Sequence, residues 1–213
     1  MAKEKIERKK LITPVFRLSF PNLFEARKAS DDPNAKPKFG CSAIWTPAKF
    51  TPKEKEQWRA ILAELDKEAR RVFNKPFKEL PDNVRRGIRD GAGKDGLEGY
   101  GEGTRFANLT TKNRPGVVDK DGGTDIAPEE GNADLIYPGC FCRATVQVYS
   151  YNNKGKGVAL GLRNIQKVKD GPRLDNRVAA KDDFDEEIES AWLDQDDDFD
   201  ASGDAGGDED DFE

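Results

Sequence analysis

The sequence predicts a mainly β protein: a small antiparallel barrel or strongly bent sheet, with one amphipathic helix packed across an opening. Three observations carry this reading. Short segments of alternating apolar and polar residues recur between residues 11 and 168, a single run keeps a helical period, and residues 182–213 are too acidic and too poor in apolar side chains to fold.

Residues 11–20 read as a strand with Phe16, Leu18 and Phe20 on one face, and 38–46 as a second with Phe39, Cys41, Ala43 and Trp45 alternating. A polar loop joins them. Thr51, Pro52 and Glu54 then spell a helix start, with a capping threonine, proline at the first turn and glutamate completing the capping box. Trp58, Ile61, Leu62, Leu65, Ala69 and Val72 come next at spacings of three and four, which predicts a helix over 52–73 with one buried stripe.

Residues 74–103 are rich in proline and glycine, with room for a helical turn near 82–89. Gly91, Gly93 and Gly96 spell GxGxxG, but no strand precedes them and no helix comes after, so the spacing carries no dinucleotide site. A strand is predicted at 104–112. Two more, 139–152 and 157–168, form a hairpin through "NNKGKG".

Charge is divided sharply. Residues 1–181 hold all 36 bases against 24 acids, a net +12, whereas residues 182–213 hold 17 acids and no base. A basic body that meets a polyanion and a tail that resembles one fit this division. With no histidine there is no Ser-His-Asp or Cys-His nucleophile, and the three cysteines make no disulfide framework, which suits a reducing compartment. No apolar run has the length of a membrane span, so the expectation is a cytoplasmic protein with no membrane partner and no cofactor. Asp119, Asp121 and Asp125 suggest calcium or a metal-dependent nuclease, but their loop lacks the ligand spacing of an EF-hand, and a solvated loop is the simpler expectation.

The chemistry is expected on the last hairpin. Side chains alternate between faces along a strand. Cys140, Cys142, Ala144, Val146 and Val148 fall on a core side; Phe141, Arg143, Thr145, Gln147, Tyr149 and Tyr151 fall on the other. On the partner strand Val158, Leu160 and Leu162 are core, and Ala159, Gly161, Arg163, Ile165 and Lys167 face outward. Lys154 and Lys156 extend the positive line at the turn, and Phe106, Lys112 and Arg114 supply an opposite wall. Bases stack on aromatic rings almost regardless of sequence, and nearby cations hold phosphates, so this face suits single-stranded nucleic acid. The competing reading makes Phe106 and Phe141 part of a second hydrophobic layer.

"YPGCFCRATVQVYSYNNKGKGVALGLRNIQKVKDG" (137–171), "NRPGVVD" (113–119), "EGYGEG" (98–103) and an acidic terminus with Phe212 next to last resemble bacteriophage single-stranded DNA-binding proteins. The resemblance implies a five-stranded OB-fold barrel, and the expected organisation is this nucleic-acid-binding domain over 11–172, preceded by a basic arm at 1–10 and succeeded by a disordered acidic tail at 173–213. It also implies a non-enzymatic protein of phage replication, recombination or repair in the host cytoplasm. The tail, with Phe199, Asp210, Asp211 and Phe212, would contact phage replication proteins such as the polymerase or helicase–primase, and self-association is possible. A protein-binding adaptor acting through the tail alone is the alternative.

Overall fold

The computed structural model describes residues 8–28, 34–153 and 155–175. Its strands are β1 (Leu11–Ile12), β2 (Phe16–Arg27), β3 (Lys38–Trp45), β4 (Val84–Arg86), β5 (Arg89–Asp90), β6 (Arg105–Thr111), β7 (Gly116–Val118), β8 (Phe141–Asn153) and β9 (Gly155–Lys169), with helix α1 (Pro52–Phe73) between β3 and β4.

Five of these strands close a ring. β2 pairs with β3, β3 with β6, β6 with β9, β9 with β8, and β8 returns to β2. The seam of β6 with β9 is parallel and the other four are antiparallel. Closure removes the open edges of the sheet. The order β2-β3-β6-β9-β8 is that of an OB-type barrel, with β1, β4, β5 and β7 as short additions on its strands.

Alternation fills the interior: Phe16, Leu18, Ala43, Trp45, Ala107, Leu109, Val146 and Leu160 point inward and are buried. Trp45 is the pivot. It packs edge-on to Phe16 at 5.8 Å and against Trp58 of α1 at 5.1 Å, and its indole N–H donates to the Pro14 carbonyl at 3.2 Å. Burying a tryptophan requires such a partner.

Helix α1 occupies the predicted span, and its capping box is formed in both directions. Glu54 also accepts from the Val15 N–H at 3.1 Å, pinning the helix start to the break between β1 and β2. Ile61, Leu65 and Ala69 enter the core, each large aliphatic contributing roughly 1.5–3 kcal/mol. Val72 does not continue the stripe: next to last in the helix, it is exposed.

Three further expectations are corrected. The strand read over 11–20 breaks at Thr13–Val15, and β2 then continues through the supposed loop to Arg27. Its register shifts between Ser19 and Asn22, where Phe20 takes a φ of 46° and is 58% exposed instead of joining Phe16 and Leu18 inside. Residues 82–89 form no helical turn: β4 runs parallel to β9 and β5 antiparallel to β6.

The third concerns β9. Thr145 pairs with Asn164 and Val146 with Leu162, so Arg163 is an extra residue in the ladder. A bulge of this kind reverses the facing of the residues beyond it. Ile165 and Lys167, expected outside, are therefore turned inward and are 1% and 6% exposed. Lys167 is neutralised there by Asp170, its Nζ 2.9 Å from the carboxylate.

Candidate nucleic-acid interface

The outward residues of the barrel form two connected groups. Register aligns the first across five strands: Phe141, Arg17, Ile44, Phe106 and Arg89 stand side by side on β8, β2, β3, β6 and β5. Phe106 is 3% exposed but lies outside the main core. Its cover is an outer layer. The Arg89 guanidinium sits 4.3 Å from its ring centre, Lys94 Nζ 4.8 Å, and Tyr100 meets it edge-on at 5.3 Å. Phe106 thus lies beneath a layer that is itself cationic and aromatic.

Arg89 is set there by the pairing of β5 with β6, and the rest of the layer comes from the glycine-rich segment 91–103. Gly99, at φ 85°, passes where a Cβ would lie 3.1 Å from Leu174 and 3.4 Å from Ile44. Only glycine combines that conformation with so close an approach. Lys94 is thereby held 4.9 Å from the Tyr100 ring and 5.8 Å from that of Phe20. Burial and the nearby Arg89 both push the Lys94 pKa down; burial and Arg85 do the same to Arg89.

The second group lies on the β8–β9 hairpin. Tyr149 and Tyr151 face Ala159 and Gly157 across the ladder, and their rings are 6.2 Å apart at 43°. Both lie over small residues. A Cβ on Gly161 would meet the Tyr149 ring at 3.4 Å, and one on Gly157 would strike the Tyr151 hydroxyl at 2.5 Å. Burial raises the Tyr151 pKa, while Arg85 and Arg89 act on it as neighbouring positive charges. Arg89 therefore joins the groups, and the face runs from Phe20 through Lys94, Tyr100 and Arg89, which cover the buried Phe106, to Tyr151 and Tyr149.

Other expected residues lie elsewhere. Arg143 is six residues from Tyr149 on one strand, about 20 Å away, and donates to Gln166 Oε1 at 2.7 Å. Arg163 is exposed on the bulge beside it. Phe141 is half-buried with Lys169 Nζ 4.8 Å from its ring. Lys156 is exposed beside β4, and Lys112 at the end of β6. Arg114 is held by Glu129 in a two-pronged pair at 2.7 and 2.8 Å, which lowers the Glu129 pKa to about 2. Asp121 accepts from the Gly123 and Thr124 N–H groups and the Thr124 hydroxyl, so its oxygens serve its own turn. Lys154, Phe199, Asp210, Asp211 and Phe212 lie outside the described residues.

Sequence reading passed over Arg85, Arg89, Lys94 and Tyr100. Their signal was bases and an aromatic interleaved with glycine, and it was hidden in a stretch that reads as linker.

Ring closure, strand order and outward chemistry define an OB-type barrel with a cationic, aromatic face. The family model described as Enterobacter phage Enc34, ssDNA-binding protein matches residues 9–199, and the chain belongs to that family. Protein p50 of Acyrthosiphon pisum secondary endosymbiont phage 1 is 31% identical over 179 residues, covering 80% of this chain and 89% of the relative. The single-stranded DNA-binding protein of bacteriophage Enc34, solved in complex with ssDNA, superposes with a TM-score of 0.63 at 20% identity, covering 81% of this chain and 96% of that one. Gp2.5, a single-stranded DNA-binding protein encoded by bacteriophage T7, gives 0.52 at 14% identity, covering 86% and 96%.

Proposed function

We propose that this chain is a non-enzymatic single-stranded DNA-binding protein that coats the strand with little sequence preference during phage DNA replication, recombination or repair in the host cytoplasm. The continuous run of cations and rings from Phe20 to Tyr149 supports this most directly. Rings offer faces that only unpaired bases can use, and Arg85, Arg89 and Lys94 supply charge for the phosphates between them. The Enc34 relative solved with ssDNA supports the same reading. Among the described residues no helix is long and apolar enough to cross a membrane.

Regulation is assigned to residues 182–213, whose 17 carboxylates compete for the same face and, once displaced, engage replication proteins of basic and aromatic surface, such as a polymerase or helicase–primase. Residues 170–175 lead toward the face: the Leu174 N–H donates to the Pro138 carbonyl at 2.9 Å, and Arg17 Nη2 to the Pro172 carbonyl at 2.8 Å.

The test is oligo(dT) binding by the whole chain and by one ended after Lys181. Both bind, and the shortened chain binds tighter. Absence of binding by either at low salt defeats the proposal and leaves the adaptor reading.

A further inference from the structure

A cleft of about 130 Å³ opens at one end of the face, lined by Ser19, Phe20, Leu97, Glu98, Tyr100, Pro138, Leu174 and Asp175. Three features of its wall are unusual together. Phe20 is a bulky residue at φ 46° and more than half exposed, a strained display that serves no core contact and is typical of ligand clamps. The Tyr100 hydroxyl is buried with no hydrogen-bond partner among the described residues, a state most native structures avoid. Lys94 stands within reach of both rings and of Phe106, so the cleft is continuous with the face.

We infer that the cleft is a pocket for one pyrimidine base of the bound strand, a reading that rests on the face binding single-stranded DNA. Size favours one six-membered ring: a cavity of roughly 150 Å³ takes benzene, and this one is slightly smaller but open at its mouth. Phe20 and Tyr100 supply ring contacts, the Tyr100 hydroxyl donates to a base carbonyl, and Lys94 meets the adjoining phosphate. Glu98 accepts from the ring N–H of thymine or the amine of cytosine. A phenyl group from the acidic tail suits the cleft less well. Phe212 is flanked by Asp210, Asp211 and Glu213, which would be brought against Glu98.

Two measurements on the full chain test this. First, oligo(dT) carrying 5-iodouracil is bound, irradiated and digested, and the crosslinked peptides are mapped by mass spectrometry. Crosslinks at Phe20 or Tyr100, besides those at Tyr149 and Tyr151, are expected. Crosslinks confined to Tyr149, Tyr151 and their neighbours overturn the pocket while sparing the face; failure to retain the oligonucleotide at all overturns both. Second, Tyr100→Phe removes only the unpartnered hydroxyl. Thermal stability is expected to hold or rise, while affinity for oligo(dT) falls roughly 2- to 12-fold, the value of one hydrogen bond. Unchanged affinity in that variant overturns the inference.

Discussion

Replacing Tyr149 or Tyr151 by alanine probes the hairpin end of the face. Each ring rests on a floor of Gly157, Ala159 and Gly161, is only half-buried and lies outside the main core, so truncation removes a platform without opening that core. Base–aromatic stacking contributes roughly 1–3 kcal/mol per base, so each single variant should bind oligo(dT) roughly 5- to 150-fold more weakly. The rings are tilted by 43° and form no parallel-walled slot. Each therefore serves its own base, and the double variant should lose the sum of the two energies; a shared base would limit the loss to that of the larger single. Anisotropy of a labelled oligo(dT) at fixed salt reads the affinities, with thermal melting as the control for folding. Tyrosine-to-phenylalanine variants keep the ring and should bind as the parent does. Parental affinity in both alanine variants, with the fold intact, would refute the assignment of these rings to stacking.

A Cβ in Gly157→Ala would strike the Tyr151 ring and, at 2.8 Å, the Arg85 carbonyl of β4, so this variant should shift both and weaken oligo(dT) binding, whereas Gly161→Ala meets Tyr149 at an ordinary contact distance of 3.4 Å and should bind normally; the reverse order of affinities would show that the rings do not rest as described. Binding should also be lost earlier in alkali than an ordinary lysine allows. Burial and Arg89 depress Lys94 in the free protein, and phosphate favours its charged form. Affinity is thus fully present below the depressed pKa and declines as pH rises through it, before the usual range near about 10.4; Lys94→Arg should remove that decline, and an identical pH profile in the variant would count against it. At the other end of the scale, Glu129 titrates at about 2 because Arg114 grips it. A depressed carboxylate contributes stability above its unfolded pKa of roughly 4.3, lost as pH falls through the folded value, so Arg114→Ala should return the Glu129 carboxyl signal in an NMR titration toward the ordinary range. A signal that stays near 2 would place the cause elsewhere.

The elements readable in the sequence are those set by local chemistry. Thr51, Pro52 and Glu54 fix the start of α1 because a cap needs only neighbours three residues apart, and alternation reveals the barrel strands because one face of each is buried. The features that escaped depend on distant partners. Arg163 is inserted into the ladder by the curvature of a closing barrel, and nothing in its own neighbourhood says that Ile165 and Lys167 then reverse. Phe20 leaves the core for a similar reason, at a register shift against β3. Arg89 joins the face through the pairing of β5 with β6, and Lys94 and Tyr100 belong to it only because Gly99 lets their loop settle between Ile44 and Leu174, contacts between segments far apart in sequence that no local period encodes.

The most direct test of the DNA-binding face is the salt dependence of oligo(dT) binding by the chain ended after Lys181 and by its Arg85→Ala, Arg89→Ala, Lys94→Ala triple variant. The logarithm of affinity falls with the logarithm of salt by about 0.7 for each phosphate neutralised on a single strand. Loss of three phosphate contacts should therefore make the slope shallower by about 2. A triple variant that remains folded and keeps the parental slope and affinity would place the bound strand elsewhere on the protein.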